Sequence, residues 1–364
     1  MTVLIDEIRD NALLWLLALV PVVLIAQPLY PEAHTLLFVL SVLAIIPLAG
    51  LLSRATESVA ARTGDMVGGL LNATLGNLTE LVIALAALQA GQYVLVKASI
   101  VGAILTNSLF MLGASFLLGG LRHHTQEYNR DTARLQAGQL FLATIAILIP
   151  SVLADAEAST TNIAFTKSLS VALSLLLVLA YALGLLFSLK THREFFASKQ
   201  HGGEDEAKWP LPLALITLTV VTVLVALVSE VFVESVQQAA VALGITPAFV
   251  GVIIVALVGA AAEMTSAFSA ARKDKLDLSV SIALGSAVQI ALFVAPVLVL
   301  LSYVIGPSPM DLEFWRGAVA MMLIAAMTAS FVTNSGRSAW FLGALLLIIY
   351  IIFGMTLYLL PPRT

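Results

Sequence analysis

Two stretches of this chain are apolar enough to cross a bilayer, yet each carries a glutamate near its middle. The first runs from Met66 to Leu85 and contains Glu80. The second runs from Val250 to Phe268 and contains Glu263. A charged side chain at that depth is costly to insert, and it usually faces a bundle interior or an ion path. The two glutamates therefore restrict the folds that the chain can adopt.

The two stretches superimpose without a gap when the numbering is shifted by 183 residues. The shift places Gly76 on Gly259 and Glu80 on Glu263, and the match continues into the apolar stretch that follows. An ungapped match over about forty residues that pairs the two deepest carboxylates indicates an internal duplication. We therefore expect two homologous halves.

The composition is that of an integral membrane protein. Hydrophobic residues make up 60% of the chain and charged residues 11%, and the mean hydropathy is +1.01. Soluble domains carry charges at about a quarter of their positions. The absence of cysteine excludes disulfides, thiolate metal sites and thiol catalysis. With basic residues confined to short loops, we expect no nucleic-acid partner; the partner is the lipid bilayer, and homo-oligomerisation is left open.

The apolar segments predict an all-α polytopic membrane protein with about eleven transmembrane helices, since one span needs about 20 mostly apolar residues. The predicted spans are 12–30, 35–53, 66–91, 93–119, 136–154, 168–190, 209–233, 247–270, 277–304, 313–333 and 338–360.

Four segments follow from these spans. Residues 1–34 form an extra N-terminal helix, and residues 35–190 form a first five-helix repeat. A polar cytoplasmic linker, 191–208, leads to the second five-helix repeat, 209–364.

The distribution of basic residues predicts the orientation, because cytoplasmic loops are enriched in lysine and arginine. A cytoplasmic N-terminus places 14 of the 18 lysines and arginines on that side and puts the C-terminus outside. Because five helices per repeat is an odd number, the halves must be inverted relative to each other. Inverted repeats around a midplane site are the architecture of secondary transporters. Glu80 and Glu263 are then expected to meet near the centre.

Two carboxylates that face each other in a low dielectric repel, so they either share protons or hold a cation. Calcium takes six to eight oxygen ligands, and two glutamates supply at most four. The candidates for the remaining ligands are Asn77, Ser286, Gln289, Thr106, Asn107, Ser108 and the carbonyls near Gly76 and Gly259. The alternative is structural: neutral glutamates bonded to neighbouring helices, with the small polar residues as interhelical hydrogen-bond partners.

Two further acids, Glu57 and Glu234, precede the glutamate-bearing spans of the two halves. They are candidates for vestibule residues that gather cations at the two mouths of the site. A solvated connector without a transport role is the alternative for both.

Four sequence blocks resemble a known family. These blocks are GGLLNATLGNLTELVIA (Gly68 to Ala84), GLRHHTQEYN (Gly120 to Asn129), LKTHREFF (Leu189 to Phe196) and KDKLDLSVSIALGSAVQIALF (Lys273 to Phe293). The chain resembles calcium/proton antiporters of the CAX type, within the calcium/cation antiporter superfamily. The resemblance covers both halves.

The resemblance implies a secondary transporter that exchanges calcium for protons and needs no cofactor. It also implies that Glu80 and Glu263 are the carboxylates that bind calcium and protons in turn. Site positions of the family fall on Asn77, Ser286 and Gln289, and Thr106 takes a position usually held by another small polar residue. The long N-terminal extension of many plant members is missing, so the expected location is a prokaryotic cell membrane.

One departure from the family pattern concerns the second glutamate. Many members carry the motif Gly-Asn-Ala-Ala-Glu-His, whereas this chain has Gly259, Ala260, Ala261, Ala262, Glu263 and Met264. The chain thereby lacks one amide oxygen and one titratable imidazole at this site.

Three alternatives to calcium/proton exchange follow from the residues. A sodium- or other cation-coupled exchanger of the same superfamily would use the same pair of acids, but the signatures of the sodium/calcium branch are absent. A cation channel would favour symmetric rings or carbonyl filters. An intramembrane hydrolase would need a nucleophile with a base or a metal-bound water, and neither glutamate has a histidine nearby in the sequence. We therefore expect a transporter and not an enzyme.

Overall fold

The computed structural model describes Arg9 and residues 11–63, 65–156, 162–192 and 209–360, which are nearly all helical. The predicted linker, 191–208, lies almost entirely outside these residues.

The described residues of the first half form six helical elements and a short strand. They are α1 (Ala12–Ala18, a 3-10 segment, continued by Leu19–Leu29), α2 (His34–Ala60), α3 (Asp65–Leu75 and Leu78–Gln89), α4 (Tyr93–Leu105, Thr106–Met111 and Leu112–His123), β1 (Thr125–Glu127), α5 (Arg130–Ala156) and α6 (Asn162–Leu186 and Phe187–Thr191).

The second half contains five helical elements and a second strand. They are α7 (Leu211–Leu243), α8 (Pro247–Phe249, Val250–Val255 and Ala256–Gly259, then Ala261–Arg272), α9 (Leu276–Gln289, Ile290–Val294 and Ala295–Leu301), α10 (Arg316–Thr333), β2 (Arg337–Ala339) and α11 (Trp340–Leu359).

Within the described ranges, eight helices are long and apolar enough to cross a membrane, and the number rises to ten if each of two bent pairs counts as one span. The segment Leu13–Leu29 of α1 is a shorter apolar helix. The predicted number of eleven spans therefore stays a prediction, whereas the prediction of an all-α membrane fold is confirmed.

Both glutamate-bearing spans are broken, although the sequence predicts one continuous helix for each. The axis of α3 bends by 42° and that of α8 by 59°. The breaks occur at Asn77 (φ −101°, ψ 31°) and at Ala260 (φ −77°, ψ 3°). Each of these residues follows a glycine, which is a poor helix former. The two breaks lie 183 residues apart, the interval of the sequence repeat.

Two π-helical segments recur at nearly the same interval. Thr106–Met111 interrupts α4 and Ile290–Val294 interrupts α9. A shift of 183 from Thr106 leads to Gln289, one residue before the second π-helical segment. Short π-helical insertions occur frequently at functional sites. The first segment contains the proposed ligands Thr106 and Asn107, and the second segment directly follows the proposed ligand Gln289.

Helices α2 and α7 run antiparallel through the core. Phe38, near the start of α2, stacks on Phe232, near the end of α7, with ring centroids 5.5 Å apart. After the other end of α2, Arg62 Nε donates a hydrogen bond of 3.0 Å to the Trp209 carbonyl. Helix α7 continues ten residues beyond the predicted span and ends at Gly244, whose φ of 66° favours glycine. The last turns of α7 therefore extend past residue 233, where the predicted apolar span ends.

One end of the bundle collects the loops after α4, α8 and α10. Strands β1 and β2 pair there in an antiparallel ribbon. Gln126 Nε2 donates to the Ala271 carbonyl at 3.0 Å and to Asp274 Oδ1 at 2.8 Å. The Asn129 amide donates to Asp277 Oδ1 at 2.9 Å. We call this end of the bundle the ribbon end. The sequence did not predict its strands, because three residues are too few to show an alternating pattern.

The opposite end joins the start of α4 to the loop between α9 and α10. Lys97 Nζ lies 2.6 Å from Asp311 Oδ1 and also donates to the Glu313 carbonyl. The Tyr93 hydroxyl donates to the Ser308 carbonyl at 2.7 Å. Polar interactions at both ends of the bundle therefore connect elements of the first half to elements of the second.

Helices α4 and α11 approach closely because glycines face each other. A Cβ on Gly113 would lie 2.8 Å from Leu346 Cβ and 3.0 Å from the Gly343 carbonyl. A Cβ on Gly343 would overlap the Gly113 carbonyl and the Leu117 amide. Backbone atoms of this kind cannot move aside without shifting a helix.

The substitution Gly343→Ala is expected to lower the thermal unfolding temperature of the purified protein. The added methyl overlaps backbone atoms, and overpacking of a well-packed core costs about 1–3 kcal/mol. Gly138→Ala in α5 is the matched control, because a Cβ added at Gly138 would meet no atom within 4 Å. That variant should gain helix propensity and unfold at an unchanged or higher temperature. Equal behaviour of the two variants would contradict the close contact of α4 and α11.

Candidate functional site

Glu80 of α3 packs directly against the break in α8. A Cβ on Gly259 would lie 2.8 Å from Glu80 Cγ, 3.1 Å from Cδ and 3.2 Å from Oε1. Only glycine therefore leaves room for this side chain. The glutamate of the first repeated stretch thus contacts the break of the second.

Glu263 occupies the equivalent position in α8. Both glutamates lie in the first turn of the helical piece that follows a break, where the helix dipole favours negative charge. Glu263 follows Gly259, the residue that Glu80 contacts, by four positions in the chain. The two deepest carboxylates therefore lie near the same helix break.

A chain of buried hydrogen bonds crosses between the halves beside the glutamates. Asn107 Nδ2 of α4 donates to Ser286 Oγ of α9 at 2.7 Å. Ser286 Oγ in turn donates to Asn77 Oδ1, at the break of α3, at 2.8 Å. All three side chains are at most 5% exposed. This chain fixes the break of α3 relative to α4 and α9.

Gln289 of α9, three residues after Ser286, also reaches the α3 break. Its Oε1 is 3.4 Å from the position that a Cβ on Gly76 would take, and the residue is buried. Gln289 and Ser286 thus place polar groups of the second half against the break of the first.

Five polar atoms in this region are buried without a hydrogen-bond partner among the described residues. They are Asn77 Nδ2, Glu80 Oε1, Asn107 Oδ1, Glu263 Oε2 and Gln289 Nε2. Buried polar atoms are normally paired, because an unpaired one costs about 1–3 kcal/mol. Three of the five are oxygens, the atoms that hard cations and protons bind. The concentration of unpaired acceptors around two carboxylates indicates a site for a positively charged ligand.

Two other predicted ligands hydrogen-bond elsewhere. Thr106 Oγ1 lies 3.1 Å from the Tyr350 hydroxyl of α11, and Ser108 Oγ donates to the Ile104 carbonyl. The Tyr350 ring also contacts Phe110, with centroids 5.2 Å apart. The structure therefore places these hydroxyls beside α11 and the α4 backbone, and not in the chain from Asn107 to Asn77.

Two tyrosines that contact this region were not singled out by sequence reasoning. Tyr350 is the partner of Thr106, and the Tyr181 hydroxyl of α6 donates to the Ala73 carbonyl, close to the break of α3. A tyrosine in an apolar span gives no specific signal, since its ring packs like any other aromatic ring. Either tyrosine could have been singled out only if the helix breaks near it had been known.

The two acids proposed for the vestibules lie at opposite ends of the bundle. Glu57 is exposed in the last turns of α2, where Ser53 Oγ donates to its Oε1 at 3.1 Å. Glu234 is exposed on α7 and accepts a 2.7 Å bond from Gln27 Nε2. It lines a cavity of about 490 Å³ together with His34 of α2.

Comparison with known proteins identifies the family. A family profile described as "Sodium/calcium exchanger protein" matches residues 33–190 and 213–359. The chain belongs to this exchanger family. The family match covers most of both predicted repeats.

Relatives of this exchanger-family chain are antiporters. The Ca(2+)/H(+) antiporter of Aphanothece halophytica is 40% identical over 369 residues, covering 97% of this chain and 98% of the relative. The Ca(2+)/H(+) antiporter ChaA of Bacillus subtilis is 40% identical over 335 residues, with 91% and 93% covered. The solved structure of native YfkE superimposes with a TM-score of 0.83 at 37% identity, covering 96% of this chain and all of that one.

These findings confirm the resemblance predicted from the sequence. The exchanger family consists of membrane transporters and not of enzymes, and the ions are transported substrates, so the family needs no cofactor.

No group of three or more histidine, cysteine, aspartate or glutamate side chains converges among the described residues. Any cation held by Glu80 and Glu263 would need its other ligands from amides, hydroxyls, backbone carbonyls or water.

The substitution Ser286→Ala is expected to lower the thermal unfolding temperature of the exchanger. It leaves Asn107 Nδ2 without its acceptor and Asn77 Oδ1 without its donor, and each buried unpaired group costs about 1–3 kcal/mol. Ser279→Ala is the matched control, because Ser279 is also buried on α9 and its hydroxyl has no partner among the described residues. The control should unfold at an unchanged or higher temperature. If both substitutions have the same effect, the chain from Asn107 to Asn77 does not contribute to stability.

Proposed function

We propose that this chain exchanges calcium for protons across a membrane by alternating access at a site built on Glu80 and Glu263. The observation that carries the proposal is the contact of Glu80 with Gly259, which brings the first repeated stretch onto the break of the second. Antiporter relatives at 40% identity support calcium and protons as the exchanged ions.

The two glutamates supply the charge of the proposed site. Their two negative charges balance a divalent cation. Their four oxygens supply part of the six to eight oxygen ligands that calcium takes. Asn107 Oδ1 is buried and unpaired. It is a neutral oxygen in the same region, and backbone carbonyls near Gly76 and Gly259 are further candidates. Asn77, Ser286, Gln289 and Thr106 complete the proposed set.

Mutual repulsion explains why such a pair would exchange ions and not leak them. Two ionised carboxylates close together in a low dielectric are costly unless a cation or protons neutralise them. An empty, charged pair would therefore be costly to occlude, and the protein would change conformation only with the site filled. A ligand can shift a conformational equilibrium only through such a difference in binding free energy.

Several observations support inverted repeats over 35–190 and 209–364. The breaks at Asn77 and Ala260 recur at the sequence interval, and α2 and α7 run antiparallel. Broken helices that meet near the midplane are typical of secondary transporters with inverted repeats.

We propose that the ribbon end faces the cytoplasm of a prokaryotic cell. The loops gathered there carry Arg122, Arg130, Arg272 and Lys273, which fits the excess of basic residues in cytoplasmic loops. The N-terminus would then be cytoplasmic and the C-terminus outside.

Sodium coupling is the second candidate, because the family profile bears the name of sodium/calcium exchangers. One assay separates the two. The purified chain is reconstituted into liposomes, and calcium accumulation is measured under an imposed proton gradient and then under a sodium gradient. The proposal predicts accumulation under the proton gradient alone.

In this assay, Glu80→Gln and Glu263→Gln should each abolish proton-driven calcium accumulation. Both variants keep the size of the side chain and remove a charge that balances the divalent ion. Glu230→Gln is the control, since Glu230 is exposed on α7, and it should transport at the native rate. Near-native transport by either site variant, with unchanged thermal stability, would show that the ions bind elsewhere.

A further inference from the structure

A pocket with a basic rim lies at the ribbon end, away from the two glutamates. It has a volume of about 440 Å³ and is lined by Arg122, Thr265, Phe268, Ser269, Arg272 and Lys273. Arg122 comes from the last turn of α4, and the other five come from α8 and the residue after it. We call this the basic pocket.

The α8 residues of the basic pocket lie on one helical face. Positions 265, 268, 269 and 272 follow the spacing i, i+3, i+4 and i+7, which aligns side chains along one stripe. Phe268 is half-buried and meets Phe110 edge-on at 6.5 Å. Thr265, Ser269 and Arg272 are exposed. The pocket thus has an apolar floor and a polar, cationic rim.

The three cations of the basic pocket have no carboxylate partner among the described side chains. Arg122, Arg272 and Lys273 form no ion pair there. The nearest acids in the sequence bond elsewhere: Asp274 accepts from Gln126, and Asp277 accepts from the Asn129 amide. Three positive charges without a direct ion pair around one cavity attract an anion.

Arginine side chains favour a phosphate among the anions. A guanidinium offers a planar fork of donors that matches phosphate oxygens in two parallel hydrogen bonds. The Ser269 hydroxyl adds a donor of the kind that binds phosphate, whereas the Thr265 hydroxyl donates to the Ala261 carbonyl at 2.9 Å. A calcium ion, by contrast, would be repelled from this pocket, so it does not belong to the cation site.

Aromatic side chains beside the basic pocket mark the level of a membrane interface. A Cβ on Gly120, two residues before Arg122, would overlap the backbone of Trp340 at the start of α11. Trp340 and Phe341 are exposed, and their rings lie 5.8 Å apart. Exposed tryptophan is enriched at the level of lipid headgroups. Basic pockets between transmembrane helices on the cytoplasmic side bind anionic headgroups.

We propose that the basic pocket binds a phosphate group, supplied by the headgroup of an anionic phospholipid, with Arg122, Arg272 and Lys273 as its charged contacts. Because α8 also carries Glu263, a headgroup held there rests on the same helical piece as one of the two site glutamates. The binding claim rests on the proposed cytoplasmic orientation of the ribbon end, but it does not depend on the proposed exchange of calcium for protons.

The test measures lipid retention by native mass spectrometry on the full-length purified chain. The protein is equilibrated with phosphatidylglycerol and phosphatidylcholine of identical acyl chains. Phosphatidylglycerol should be retained in preference. Arg122→Gln and Arg272→Gln should each weaken this retention about fivefold, since one basic residue near an anionic surface contributes about 1 kcal/mol. Lys190→Gln, at an exposed lysine in the last turn of α6, is the matched control and should leave retention unchanged.

A second arm separates a lipid headgroup from free phosphate. Inorganic phosphate is titrated into the same samples and its binding is measured by calorimetry. Retention of phosphatidylglycerol that depends on Arg122 and Arg272 and resists inorganic phosphate supports the lipid as the source. Binding of inorganic phosphate with the same dependence, and no lipid preference, assigns the pocket to free phosphate and overturns the lipid claim.

Equal retention of both lipids, with no effect of the arginine substitutions on lipid or phosphate binding, overturns the proposal as a whole. Lys273→Gln provides a further variant if an arginine substitution prevents folding, because Lys273 is exposed after the last turn of α8. Thermal unfolding of each variant shows whether its fold is intact.

Discussion

The rest of this structure depends on placing two carboxylates inside a bundle of apolar helices. Moving an ionised group into a low dielectric is costly, and two like charges close together raise that cost. The chain meets this constraint locally: each glutamate begins a new helical piece after a break, where backbone amides and the helix dipole favour negative charge. The chain also meets this constraint through a contact between distant segments, because Glu80 packs against Gly259.

The polar network around the glutamates is incomplete in a specific way. Ser286 bonds to both neighbours, because it accepts from Asn107 and donates to Asn77. Glu80 Oε1, Glu263 Oε2 and Asn107 Oδ1, by contrast, are buried acceptors without donors. A network built only to hold helices together would pair these oxygens. Their orientation fits a site whose remaining partner is an ion or a proton.

Sequence reasoning could predict the class of fold and the central pair, because both rest on strong signals. Apolar length identifies membrane helices, and an ungapped repeat that aligns Glu80 with Glu263 predicts two related halves. The helix breaks were missed, since a glycine before Asn77 or Ala260 does not by itself show whether a span bends. The ribbon between β1 and β2 was missed because three residues give no periodicity.

The ligand candidates show the same limit at the level of single residues. Asn77, Ser286 and Asn107 are brought together, and Gln289 reaches the break of α3. Thr106 instead pairs with Tyr350 on α11, a helix far away in the sequence. A small polar residue in a membrane helix bonds to whatever neighbour the packing provides, so its role depends on contacts that spacing cannot predict.

The central claim is that calcium and protons compete for one site at Glu80 and Glu263. Isothermal titration of the purified chain with calcium, in buffers of different ionisation enthalpy, counts the protons released for each calcium bound. Protonated carboxylates cannot bind the metal, so the account predicts proton release and an affinity that falls as the pH is lowered from about 8 to about 6. It also predicts fewer released protons in Glu80→Gln. A count of zero, with an affinity that does not change over this range, would contradict the shared site.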